Sequence, residues 1–187
     1  MKLHYNSPVI LTFSILAFLV MIASTITAGI STQWLFTAWP SSFLNPLSYV
    51  RMFTHVLGHI SWDHLFGNLT LILLIGPLLE EKYGSKTMLI MILITALITG
   101  IISIFFMNTG LLGASGIVFM LILLSSFSNI KSGHIPITFI IIVFLFLGKE
   151  FVSSFAQDSI SQFAHIMGGI CGSVFGFAHN PKSLSSR

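Results

Sequence analysis

An all-α fold, a polytopic membrane bundle of six transmembrane helices, is predicted for this chain by three observations. Only 7% of its 187 residues are charged while 55% are hydrophobic, and the mean hydropathy is +0.97; a soluble domain carries about 25% charged residues. The few charges stand between apolar runs long enough to approach a hydrocarbon core of about 30 Å. The one run too long for a single span holds a cluster of turn formers, Asn108-Thr109-Gly110.

The charges define each element in turn. None falls between Lys2 and Arg51, so Val9 to Ala28 is the first span. That run is too long for a cleavable signal peptide and lacks a convincing small-residue cleavage site. No sizeable accessory domain is expected before it. The stretch between Asp63 and Glu80 gives a second span, about His64 to Leu79. Lys86 to Lys131 encloses only uncharged residues and has room for a third and a fourth span, breaking at Asn108-Thr109-Gly110. Ile135 to Gly148 supplies a fifth, and Ala164 to Phe177 a sixth. Residues 1–187 read as one domain.

Direction follows from the basic residues. With a cytoplasmic amino terminus, Lys2, Lys82, Lys86, Lys131, Lys182 and Arg187 lie inside and only Arg51 and Lys149 outside. An even number of spans then puts both termini in the cytoplasm. A chain this compact is expected in a bacterial cytoplasmic membrane. The net charge of +3 comes mostly from these flanking residues, so nucleic acid is not an expected partner. Cys171 is the sole cysteine and excludes an intrachain disulfide.

Residues 31–63 form a long first outer loop rich in Trp34, Phe36, Trp39, Phe43, Tyr49, Phe53 and Trp62. Aromatic rings favour the headgroup boundary, so this loop is expected to associate with the bilayer. An interfacial anchor alone would have the same composition.

Four polar positions converge on one level in this topology. His64 stands at the outer end of the second helix, with Asn68 one turn deeper on the same face. Ser115 falls in the first turn of the fourth helix, between glycines in Gly113-Ala114-Ser115-Gly116, and His165 lies close to the start of the sixth. A hydroxyl and an imidazole at matched depth are the minimum parts of a serine hydrolase working inside a bilayer. Residues 114–130 would make a helix of roughly 25 Å. If Lys131 marks the inner surface, Ser115 is sunk below the outer one.

Each position has an assigned role. Ser115 is the candidate nucleophile and His165 its general base. The free N–H groups of the first helical turn, with side-chain hydrogen bonds from His64 and Asn68, would stabilise an oxyanion beside Ser115. His165, Gly168, Gly172 and Gly176 form one stripe, whose glycines permit close packing on a partner helix. If that partner is the fourth helix, Phe119 packs against the His165 ring. No third acid is evident, so a Ser-His dyad is favoured over a triad, with Asp158 as the remaining candidate. Cys171 lies about 240° around the helix from His165, which excludes a Cys-His pair.

Taken together, the ordered blocks resemble the rhomboid family of intramembrane serine proteases over nearly the whole chain. They are Arg51-x-x-Thr54-His55-x-x-x-His59-x-x-x-x-His64-x-x-x-Asn68, Gly76-x-x-x-Glu80-x-x-x-Gly84, Gly113-Ala114-Ser115-Gly116 and Ala164-His165-x-x-Gly168-x-x-x-Gly172. The resemblance implies a serine-type endopeptidase cleaving transmembrane protein substrates near the outer membrane face, without cofactor or metal. It also implies that Ser115 is the nucleophile and His165 its base, with His64, Asn68 and the Ser115 N–H around the oxyanion. Arg51, His55 and His59 would organise the first outer loop, Glu80 would be structural, and the fifth helix would admit substrate laterally. Val50 stands where a tryptophan often precedes the arginine, a departure confined to loop packing.

Two other readings compete. A zinc peptidase would want His-Glu-x-x-His, whereas the chain reads His55-Val-Leu-Gly-His59, and a metal transporter would place its ligands at the midplane. A non-catalytic relative that binds or escorts membrane clients would share the fold and the glycine packing. Such relatives usually lack the serine or the histidine, and this chain keeps both.

Overall fold

The computed structural model describes residues 5–42, 44–127 and 159–178, together with positions 137, 140, 141, 144 and 145. Seven α-helices are named here: α1 Pro8–Ile26, α2 Ile30–Leu35, α3 Pro46–Thr54, α4 Trp62–Tyr83, α5 Ser85–Phe106, α6 Ser115–Phe127 and α7 Ser159–Ala178. A 3₁₀ turn, His55–Leu57, follows α3. Among the described residues the regular elements are all helices, with one isolated antiparallel bridge between Ala38 and Leu111.

Helices α1, α4 and α5 are long and apolar enough to cross a membrane, while α6 and α7 are shorter apolar helices. Their bounds refine the expected spans. The break between the third and fourth falls after Phe106, at the expected turn formers. Helix α7 begins at Ser159, ahead of the expected Ala164, because the polar residues Ser161 and Gln162 extend the helix beyond its apolar run. The expected fifth span, Ile135 to Gly148, and the inner end of the fourth at Lys131 lie almost wholly outside the described residues. Asp158 also lies outside them.

Helix α1 is docked by a buried carboxylate. Pro8 opens the helix and has no N–H to satisfy. The next two backbone groups, Val9 N–H and Ile10 N–H, donate to Glu80 Oε1 at 3.0 Å and Oε2 at 2.9 Å, and Leu11 N–H reaches the Ser7 carbonyl. Every orphan donor of that first turn is therefore satisfied, with negative charge at the positive end of the helix. Ile10 lies against Gly76, where an added Cβ would fall 2.7 Å from Ile10 Cδ1. The structural role that the resemblance implies for Glu80 thus takes the form of a helix cap.

The first outer loop is a folded layer. Asn45 caps α3 by accepting from Leu47 N–H at 3.0 Å, with Pro46 in the first helical position. Arg51 donates Nε–H and Nη2–H to the Trp34 carbonyl at 2.8 and 2.6 Å, closing the end of α2. A polar stripe of α5 receives this layer: Thr99 meets His55, and Ser103 Oγ donates to the Ala38 carbonyl at 3.1 Å. Trp34, Trp39, Tyr49 and Phe53 stay exposed, an aromatic surface suited to the headgroup boundary.

Helix α6 sits at the centre, buried between α4, α5 and α7, and its contact with α7 is the most extensive of any helix pair described. A Cβ built on Gly168 falls on the Gly116 carbonyl, and one built on Gly172 falls on that of Met120. Both pairings advance by four residues, so the two helices run in the same direction.

Removing the α1 cap tests this account of the fold. Glu80→Ala should lower stability by about 2–3 kcal/mol, since it strands two buried N–H donors. Glu80→Gln, which keeps one acceptor, should fall between Ala and native. Thermal unfolding in detergent micelles measures both, and an unchanged transition in Glu80→Ala would show that the cap is dispensable.

Candidate active site

Ser115 is the first residue of α6. Val118 N–H bonds to the Ala114 carbonyl at 2.9 Å, so the N–H groups of Ser115, Gly116 and Ile117 have no acceptor within the helix. The preceding turn is pinned from the outer loop. Gly113 N–H donates to the His55 carbonyl at 3.0 Å, and Ala114 N–H points to His59 Nε2 at 3.4 Å. Gly113 has φ +119, and a Cβ there would lie 2.8 Å from His64 Cε1. Only glycine meets both conditions.

The expected convergence can be followed residue by residue. His165 lies nearly two turns inside α7, yet the register of the α6–α7 crossing sets it beside the start of α6. Its ring packs on Phe119, with centroids 4.4 Å apart and planes at 42°. Phe119 stands one turn after Ser115 on the same face, as the spacing in sequence requires. The carbonyl of Ala164, the residue before His165, lies 3.2 Å from a Cβ built on Gly116. His64 reaches the site from α4, where its ring lies against Gly113. Asn68, also on α4, is buried and donates from Nδ2 to His59 Nε2 at 3.1 Å.

The two outer-loop histidines, His55 and His59, have structural work that spacing alone did not assign. His55 is buried, with Nδ1 at 3.0 Å from the Arg51 carbonyl and Nε2 at 3.2 Å from Thr99 Oγ1. A carbonyl can only accept, so Nδ1 carries the proton; Thr99 Oγ1, which Nε2 faces, also lies 2.8 Å from the Thr95 carbonyl, and its single proton serves one of the two. His59 is bound likewise through Nδ1 to the Leu57 carbonyl at 3.2 Å, and its ring meets His64 edge-on at 5.0 Å. With both nitrogens of both rings engaged by the protein, His55 and His59 are not shaped as metal ligands. Among the described residues no three His, Cys, Asp or Glu side chains converge as a metal set. The signals for these partners were weak in sequence, because His55 and Thr99 are 44 residues apart and His59 and Ala114 are 55 apart.

Comparison with known proteins shows the family of the chain. The family model described as Rhomboid domain matches residues 46–181. Rhomboid protease GlpG of Haemophilus influenzae is 28% identical over 131 residues, covering 68% of each chain. Rhomboid protease GlpG of Salmonella paratyphi A is 28% identical over 153 residues, which is 80% of this chain and 55% of that one. The match thus spans about two thirds of the first relative and little more than half of the second. This chain belongs to the rhomboid family.

The buried loop histidines make stability depend on pH. Burial pushes His55 down from 6.5 to about 4, against the opposing hydrogen bonds to backbone at Arg51 and Met52. Burial and then the neighbouring His64 charge push His59 to about 4 as well. In the unfolded chain both rings protonate near 6.5, so between that value and about 4 the unfolded state binds more protons. Their contribution is complete above 6.5 and is lost as pH falls through this window. Unfolding free energies measured in detergent at about pH 7.5 and about pH 5 should show the fall, and His55→Asn should reduce it, leaving the share of His59. A stability that holds level across this range would contradict the assignment.

Proposed function

We propose that this chain is an intramembrane serine endopeptidase that cleaves transmembrane protein substrates near the outer membrane face through a Ser115-His165 dyad. The observation that carries the reading is the α6–α7 crossing, which sets Gly168 against Gly116 and His165 against Phe119. It brings the start of α6, which carries Ser115, close to the turn of α7 that carries His165. The relatives named rhomboid protease support the same chemistry.

In the proposed mechanism His165 removes the hydroxyl proton as Ser115 Oγ bonds to the scissile carbonyl carbon. Negative charge collects on the carbonyl oxygen, where the Ser115 N–H, the His64 ring and the Asn68 amide donate. The C–N bond then breaks, and His165 returns the proton to the leaving amine. Water, deprotonated by the same ring, hydrolyses the acyl ester and frees the hydroxyl. Residues 1–187 act as one domain, crossing the bacterial cytoplasmic membrane six times with both termini in the cytoplasm. Substrates are single-span proteins whose helix unravels near the outer surface at small residues, admitted beside the fifth helix. No metal or organic cofactor takes part in these steps.

Cleavage of a model single-span substrate in detergent tests the proposal. Ser115→Ala and His165→Ala should each reduce turnover by several orders of magnitude while substrate binding persists. Undiminished cleavage by either variant would sink the dyad. Client binding as the only activity, unaffected by both substitutions, would favour an escort protein instead.

A further inference from the structure

We propose that His59 is a positioning residue of this site: its Nε2 lone pair selects which end of the Asn68 carboxamide faces the Ser115 turn, and holds that turn through Ala114. The inference rests on the Ser115 reading above and deepens it.

The argument is one of donors and acceptors. His59 Nδ1 lies 3.2 Å from the Leu57 carbonyl, which can only accept, so Nδ1 carries the ring proton. In the neutral ring Nε2 is then a bare acceptor. Two groups approach it, Asn68 Nδ2 at 3.1 Å and Ala114 N at 3.4 Å, and both must donate. The orientation of the Asn68 amide is therefore dictated, with its NH₂ end turned toward the ring and Oδ1 turned away. One N–H is spent on His59 and the second remains on the same end of the group. A carboxamide without this acceptor is free to flip. It would then present an oxygen where negative charge develops, exchanging attraction for repulsion.

The same nitrogen acts on the nucleophile. Ala114 immediately precedes Ser115, so the lone pair that orients Asn68 also fixes the backbone from which the Ser115 N–H and Oγ project. His59 is only 1% exposed and Asn68 8%, which keeps bulk water from substituting for either partner. His59 also packs edge-on against His64 at 5.0 Å and so supports the other side-chain donor. It touches no reacting atom.

The test compares kcat and KM of the full chain in detergent on a single-span substrate. The variants are His59→Leu, His59→Gln, Asn68→Ala and the double substitution H59L/N68A. H59L and N68A should each lower kcat on the order of 10²-fold with KM little changed. H59L should cost much less in the N68A background than in the native one, because an absent amide cannot be misoriented and only the hold on Ala114 is then lost. H59Q places an acceptor oxygen near the Nε2 position and should recover most of the lost kcat. Losses that multiply in the double variant, or H59Q as impaired as H59L, would overturn the proposal. If H59L does not fold, H59Q and H59Q/N68A carry the comparison: near-native kcat in H59Q, or a loss much reduced in the N68A background, supports the role, and multiplying losses reject it. Ser115→Ala separates the two levels. Turnover by that variant removes the Ser115 reading itself, whereas an inactive S115A with multiplying His59 and Asn68 losses removes only the positioning role.

Discussion

Where α6 and α7 cross, Gly168 lies against the Gly116 carbonyl and Gly172 against that of Met120, with no room for a side chain at either point. In a bilayer the hydrophobic effect does not distinguish a lipid tail from a leucine. Association then depends on close van der Waals contact, and backbone-to-backbone approach provides it. The two contacts fix more than distance. They fix a parallel register in which residue 165 stands beside the first turn of α6, although α7 starts well before it. A slip of one residue would turn His165 off Phe119 by about 100°. The proposed pairing of Ser115 with His165 thus rests on glycine packing.

The outer loop supplies the second constraint. Its 3₁₀ turn sends the His55 carbonyl to Gly113 N–H and the His59 ring to Ala114 N–H, so the residues before Ser115 are held by a layer that precedes them in sequence. That layer is itself seated on α5 through Thr99 and Ser103, and closed on itself by Arg51 at the Trp34 carbonyl. Backbone polar groups away from the regular helices need partners where water is scarce. Here the loop and the turn before Ser115 satisfy one another. Glu80 performs the corresponding task at the far end of α4, where it closes the first turn of α1.

Much of this was legible in the chain because membrane helices advertise themselves. Uncharged runs bounded by Lys, Asp and Glu located α1, α4, α5 and α6, and Asn108-Thr109-Gly110 marked the turn between the last two. The site residues were legible for a different reason: Ser115, His165, His64 and Asn68 are polar groups at the ends of apolar segments, where polarity is expensive. What escaped notice depended on partners far away in sequence. Nothing near Glu80 points to the backbone of Val9 and Ile10, about seventy residues earlier. The start of α7 was hidden because Ser161 and Gln162 weaken the apolar signal without weakening the helix. Helix α3 carried a local signal, Asn45-Pro46, but short helices inside an aromatic loop are masked by its composition. The role of His59 emerged only once Leu57, Asn68 and Ala114 were seen around one ring.

The central claim is that the α6–α7 contact makes Ser115 a nucleophile by giving it His165 as a base. Phosphonylation by a fluorophosphonate, mapped by mass spectrometry on the full chain in detergent, measures this without any assumption about substrate. The account predicts one adduct, on Ser115, formed by the native chain and suppressed when His165 is replaced by Gln. An adduct on another residue, or modification of Ser115 at an equal rate without His165, would contradict it.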